Sequence, residues 1–281
     1  MRRSFCCRGE GVEFSRNPKV TGGVQVFRSM SRVVGVCLML MAVLPAAGAG
    51  KRLQRADIQT PAPLPPDSLL IVGFLGGWED WDHPQRSVRQ LALRLRESLP
   101  ANVYIETADN HSRTTVRKFI REALDTNGDG RLGREEAGRA QIICYGQSFG
   151  GAACVYLARE LERWGVPMRM TVQVDSVGRR DERIPANVRR AVNLYQRDPG
   201  PIRGQAEIRA ADPKRTSILG NFRHTYLFRN IDLSNYPRAA RRFGISHWKM
   251  DNDPLVWAEV EGFLRAEVLL WQTERFTAQI P

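Results

Sequence analysis

The stretch "AQIICYGQSFGGAACVYLARELERW", Ala140 to Trp164, decides the fold. Its first part is a short apolar run that ends on a glycine, the pattern of a buried parallel strand. Its last part, from Gly151, has the composition and length of a helix. Between them Gly146-Gln147-Ser148-Phe149-Gly150 spells G-x-S-x-G. A serine on so sharp a strand-to-helix turn needs small residues two positions to either side, because the neighbouring backbones pass there. The helix then begins beneath Ser148, and its dipole favours negative charge developing at that point. Ala152 and Ala153 let the first turn lie close to a sheet.

Outward from this unit the chain alternates strands and helices. "SLLIVGFL" (68–75), "NVYIET" (102–107) and "MRMTVQVDS" (168–176) read as strands, as does "AVNLYQ" (191–196). "RSVRQLALRLRESL" (86–99) places Val88, Leu91, Leu95 and Leu99 at helical spacing, and "TTVRKFIREAL" (114–124) does the same with Val116, Phe119, Ile120 and Leu124. Alternation of this kind predicts an α/β fold, a mainly parallel sheet with helices on both faces. The chemistry of such a sheet lies at the carboxyl ends of its strands.

With "CYGQSFGG" in this setting, the chain resembles the α/β-hydrolase family of esterases and lipases over roughly residues 68–272. The resemblance implies a nucleophile, an acid and a histidine, in that chain order. Ser148 takes the first role. Of the four histidines only His224 and His247 follow it. His247, in a loop ahead of the last long helix, stands where the family carries its base, while His224 reads as a sheet histidine. Asp175, at the end of the next strand, is the preferred acid, and Asp198, one strand later, is the alternative; Asp181, Asp212 and Asp232 have more turn character. The oxyanion hole draws one N–H from Phe149 and a second from Gly77 or Trp78, in the loop "FLGGWEDWDHP". That loop departs from the family's His-Gly wording. Trp78 and Trp81 either line an acyl pocket or pack.

Upstream of Ser148, "DTNGDGRLGREE" (125–136) resembles an EF-hand calcium loop. Asp125, Asn127 and Asp129 stand at positions 1, 3 and 5, with Gly130 at 6. Arg131 supplies a backbone carbonyl at 7, Leu132 is the apolar anchor, and Glu136 is the bidentate carboxylate at 12. A single loop of this kind implies weak, structural Ca2+ that pins the crossover into the nucleophile's strand. No organic cofactor is expected.

The whole chain carries +12. "MSRVVGVCLMLMAVLPAAGAG" from Met30 reads as a signal peptide: Arg32, an apolar core over 33–44, and a small-residue cleavage site at 47–49. That core is shorter than the roughly 20 residues needed to span a bilayer. The expected location is therefore periplasmic or extracellular. Residues 1–29 fit no targeting pattern, so Met30 reads as the start and 1–49 as extension plus signal. Removing 1–49 takes seven basic and two acidic residues and lowers the net charge to +7. Cys144 and Cys154 then remain, expected as buried thiols rather than a disulfide scaffold. Residues 50–67, rich in proline, read as an extended surface linker, with the domain beginning near Ser68. The arginine-rich segment 176–223 reads as irregular, either a cap over the site or a solvated basic face. It offers contact with an anionic membrane surface. No zinc spacing, phosphate loop or nucleic-acid platform is present in the sequence.

The expected function is a secreted serine hydrolase acting on carboxylic esters or lipids. The alternative is a non-catalytic exported calcium-binding protein with the same fold.

Overall fold

Leu69–Leu75 (β1) is apolar on both sides. Leu70, Val72 and Phe74 enter one hydrophobic cluster, and Leu69, Ile71 and Leu75 enter another. A strand buried on both faces belongs at the centre of a covered sheet, and β1 lies between β2 (Val103–Asp109) and β3 (Ile142–Gln147). The computed structural model describes residues 50–278 apart from 239 and 243, so the signal-peptide and Met30 readings lie outside the described residues. With β4 (Met168–Val174), β6 (Val188–Gln196) and β8 (Ser217–His224), the main sheet runs β2-β1-β3-β4-β6-β8. Every neighbouring pair in it is parallel. The expected α/β class, a parallel sheet with helices around it, is what the chain adopts.

Two helices cover each face. Arg113–Leu124 (α2) and Phe149–Glu162 (α4) pack on the side of Leu70 and Phe74. Ser87–Ser98 (α1) and Pro254–Ala278 (α6) pack on the side of Leu69 and Ile71. Arg134–Gly138 (α3) is a single turn before β3, and Ile245–Asn252 (α5) precedes α6. The chain leaves β1 for the edge strand β2 and then crosses back to β3 on the other side. The loops at the carboxyl ends of β1 and β3 thereby diverge, at the place where α/β sheets bind their ligands. Among the described residues no helix is long and apolar enough to cross a membrane.

Several expectations need correction. The segment 50–67 is not a free linker: Leu53 and Ile58 are buried in the core beside α2. Its backbone is tied to the sheet edge, with Leu53 N–H donating to Asp109 and Thr60 N–H to Glu106. These bonds fasten 53–60 to side chains of the edge strand β2, so the fold starts well before Ser68. The segment 176–223 is not irregular either. It supplies β6 and β8 and a two-stranded parallel ribbon, β5 (Arg183–Ile184) with β7 (Arg209–Ala210). β6 contains the run 191–196 expected as a strand, whereas the arginines hid β8, a half-exposed edge whose polar side chains need no burial.

Cys144 and Cys154 form a disulfide, against the expectation of free thiols. The Ser148 turn folds β3 back onto α4 and brings the two Cα atoms to 5.6 Å, inside the range a bridge requires. Ten residues of sequence separation had concealed that closeness.

Candidate active site

Ser148 stands at the carboxyl end of β3 with φ of 57° and ψ of −124°. A non-glycine residue in that region is strained and persists only where its surroundings dictate it. They do so here. A Cβ on Gly146 would lie 2.5 Å from the Gly150 backbone, and one on Gly150 would lie 2.0 Å from the Phe74 carbonyl oxygen. Only glycine admits the crossing, and Ser148 is held at its apex by its N–H bond to Val174 O, 2.9 Å.

His247 Nε2 is 3.0 Å from Ser148 Oγ, and His247 Nδ1 is 2.6 Å from Asp175 Oδ2. His247 and Asp175 are fully buried, and Ser148 is 4% exposed. Gln147 Nε2 also reaches His247 Nε2, at 3.1 Å. With Gln147 and Ser148 both offering protons to Nε2, the ring keeps its own proton on Nδ1, facing the carboxylate. Asp175 receives three more donors: Gln196 N–H at 3.2 Å, Gln196 Nε2 at 2.9 Å and Gly204 N–H at 2.8 Å. All four partners of this buried carboxylate are donors, so both of its oxygens are satisfied. His247 lies inside α5, not in a loop as expected. Gly244, at φ 66°, turns the chain into that helix.

The arrangement can make Ser148 a nucleophile. Phe149 is the first residue of α4, so its N–H has no acceptor within the helix. The loop after β1 passes against the serine, where a Cβ on Gly76 would lie 2.9 Å from Ser148 Cβ. Gly77 comes next at φ 54°. Its carbonyl accepts Asn110 Nδ2 at 2.6 Å, and the same amide reaches Leu75 O at 3.3 Å. Because the peptide is planar, pinning the Gly77 carbonyl also sets the direction of the Trp78 N–H. Trp78 stands edge-on to Phe149, with ring centroids 6.4 Å apart. Trp81 is taken up by packing instead: it is buried, with Lys51 and Arg89 over its ring.

The alternative acid is engaged elsewhere. Asp198 accepts Tyr226 N–H at 2.6 Å, Thr225 Oγ1 at 2.8 Å and Ser246 Oγ at 2.9 Å. Burial works against its charge, but these donors outweigh it and hold its carboxyl below the usual range. His224 ends β8 with Nε2 3.5 Å from Glu259, away from Ser148's hydrogen bonds.

A second buried group lies beside the site. Arg86 pairs with Glu79 and stacks 3.9 Å from the Tyr236 ring, whose hydroxyl donates to Asp251. Burial pushes Glu79 up to about 8 and raises Asp251, against the pull of Arg86 on both. Glu79 belongs to the loop after β1, and Asp251 stands one helical turn beyond His247 on α5. This cluster therefore ties the loop after β1 to α5.

Nothing in the sequence pointed to Asn110, Gln196, Gly204 or the Arg86 cluster, because each acts through a contact distant in sequence. Gln147 was legible as a member of the motif, although the x position is not sterically constrained. A cleft of about 1370 Å³ opens at the opposite end of the sheet, beside Ser68, Gln141 and Asn187.

In the loop 125–136, Asp125 accepts Gly128 N–H and Gly130 N–H, both at 2.8 Å. Asn127 Oδ1 accepts Asp129 N–H and Asp129 Oδ1 accepts Arg131 N–H, at 2.9 and 2.8 Å. Glu136 accepts the N–H groups of Gly133, Thr126 and Asn127, which hold its carboxyl below the usual range despite some desolvation. Among the described residues no three His, Cys, Asp or Glu side chains are grouped so as to hold a metal ion. No protein-family model matches the chain, and no curated protein matches it.

Proposed function

We propose that this protein is a serine hydrolase of the α/β-hydrolase type, acting on carboxylic esters or lipids through an acyl-enzyme. The observation that carries the reading is the unbroken chain from Ser148 Oγ to His247 Nε2 and from Nδ1 to Asp175, 3.0 and 2.6 Å long. Ser148 Oγ attacks the acyl carbon while Nε2 takes its proton. The imidazolium that forms keeps Nδ1–H on Asp175. The Phe149 N–H and an N–H from Gly77 or Trp78 receive the oxyanion. Nε2 then gives its proton to the departing alkoxide, and a water activated by the same nitrogen releases the acid.

We further propose that 125–136 takes a structural calcium ion. The carboxylates of Asp125, Asp129 and Glu136 face backbone N–H groups and are not gathered about one point; turned inward, they would make with Asn127 and the Arg131 carbonyl an all-oxygen set, which suits a hard cation. Calcium would compete with the backbone N–H groups for the same carboxylates, in keeping with weak binding. Bound there, it stiffens the crossover between α2 and β3. Export through the 30–49 signal belongs to the same proposal.

The test is labelling of the purified protein by a fluorophosphonate, with turnover of p-nitrophenyl esters of graded chain length. The expected result is one label, lost in Ser148→Ala, and hydrolysis of at least one ester. A folded protein that neither takes the label nor turns over an ester overturns the reading and leaves the exported calcium-binding protein.

A further inference from the structure

The turn after β8 displays two large apolar side chains to solvent while its own backbone is firmly held. Tyr226 N–H donates to Asp198 at 2.6 Å, and the Tyr226 hydroxyl donates to Asp253 at 2.9 Å. Arg229 grips both oxygens of Asp253, at 2.5 and 2.8 Å. Lys249 Nζ, from α5, donates to the carbonyls of Tyr226 and Arg229 at 3.1 and 2.7 Å. Residues 226 and 229 are thus fixed, and Leu227 and Phe228 project between them, 58% and 99% exposed. Ile245 and Leu255 are also exposed, each close in sequence to a residue of this hydrogen-bonded hub, Ser246 and Asp253. This connection from β8 to α5 thus leaves a leucine and a phenylalanine side by side in water on a backbone that is held in place.

The charges exposed along the chain about the turn are mostly positive, while the acids that bond to the turn itself, Asp198 and Asp253, are buried. Residues 223–249 contain six Lys or Arg and a single acid, Asp232. Arg223, Arg238 and Arg242 are exposed. The turn also lies just beyond the carboxyl end of β8, the end of the sheet that carries Ser148. Asp198 Oδ2 holds both Tyr226 N–H and the hydroxyl of Ser246, the residue before His247.

We propose that the Leu227–Phe228 turn, with its flanking arginines, docks the protein on an anionic lipid surface. A convex apolar tip bordered by cations suits a soft interface, where the side chains enter the acyl boundary and the guanidinium groups meet headgroup phosphates. A folded partner would instead need a pocket shaped to receive the tip. Docking here sets the carboxyl ends of the strands, where Ser148 stands, toward the surface, but it is independent of the hydrolase reading.

The test uses the Ser148→Ala protein, so that the catalytic reading cannot affect the result. Its co-sedimentation is measured with vesicles of phosphatidylcholine alone and of phosphatidylcholine and phosphatidylglycerol in equal parts. Binding is expected to the mixed vesicles only, and to weaken with salt. Leu227→Asp with Phe228→Asp should lower the partition coefficient about a hundredfold or more, since two apolar side chains are lost and two negative charges added. A separate Phe228→Trp variant should show a blue shift in emission on the mixed vesicles. Three results overturn the proposal: no binding to mixed vesicles, equal binding to both kinds, or undiminished binding by the double variant. A concentration-dependent dimer without vesicle binding, abolished by Phe228→Asp, overturns it in favour of a second copy covering the turn.

Discussion

Replacing Asp175 by asparagine keeps the shape of the side chain and removes its charge, and the donors packed around it determine the damage. The carboxylate is fully buried and faces four of them: His247 Nδ1–H, Gln196 N–H, Gln196 Nε2 and Gly204 N–H. An amide offers one oxygen and one NH2. Turned with its oxygen to His247, it sets the NH2 against the Gly204 and Gln196 N–H groups. Turned the other way, it donates to Nδ1, drives the ring proton to Nε2 and leaves Ser148 without a base. Either orientation buries a donor against a donor, at a cost of about 1–3 kcal/mol in stability. The second orientation carries the kinetic penalty, on the order of 10²–10⁴-fold in kcat. Asp198→Asn is the control. It loses comparable stability, because Thr225, Tyr226 and Ser246 all donate to Asp198, while kcat stays within about tenfold, since none of its bonds reaches His247. The assay is kcat on a p-nitrophenyl ester, with melting temperatures for both variants. Equal losses of kcat in the two variants, or the larger loss in Asp198→Asn, would refute the reasoning.

Ser148→Ala should leave the melting temperature near that of wild type and reduce ester hydrolysis on the order of 10⁴-fold; activity within tenfold of wild type would remove the nucleophile. Calcium in the millimolar range should raise the melting temperature by mass action, and Asp125→Ala or Glu136→Gln should abolish that response. If calorimetric titration detects no binding at several millimolar, the loop is a turn. Replacing Cys144 and Cys154 by alanine should cost about 3 kcal/mol by the loop-entropy argument, read from denaturant midpoints; an unchanged midpoint contradicts the bridge. Glu79 is raised by burial from 4.5 to about 8. The folded state therefore holds a proton that the unfolded state has released. This contribution to stability is complete below pH 4.5 and is lost as the pH rises through about 8. Glu79→Gln should flatten the decline of melting temperature over that interval, and an identical pH profile would place the titration elsewhere.

The sequence by itself determined what depends on neighbours along the chain. The apolar strands and the stripes of α1 and α2 come from periodicity, which needs no partner to be recognised. The Ser148 turn was legible because its steric demand falls within five residues, Gly146 to Gly150. The sharp turns at Gly128 and Gly130, both at positive φ, follow from local sequence in the same way. Only the tertiary structure decided what depends on closeness across the chain. Asp175 and Asp198 both end strands and look alike in sequence, and they separate only because α5 delivers His247 to the first and Ser246 to the second. The proline-rich 50–67 looked like a linker because burial of Leu53 and Ile58 against a sheet edge has no periodicity. The Cys144–Cys154 bridge stayed hidden because a ten-residue separation says nothing of distance until the turn doubles the chain back. The same holds for Asn110, whose amide fixes the Gly77 carbonyl from the end of another strand. A motif states which side chain reacts, but the burial, orientation and charge of its partners are properties of the packed fold.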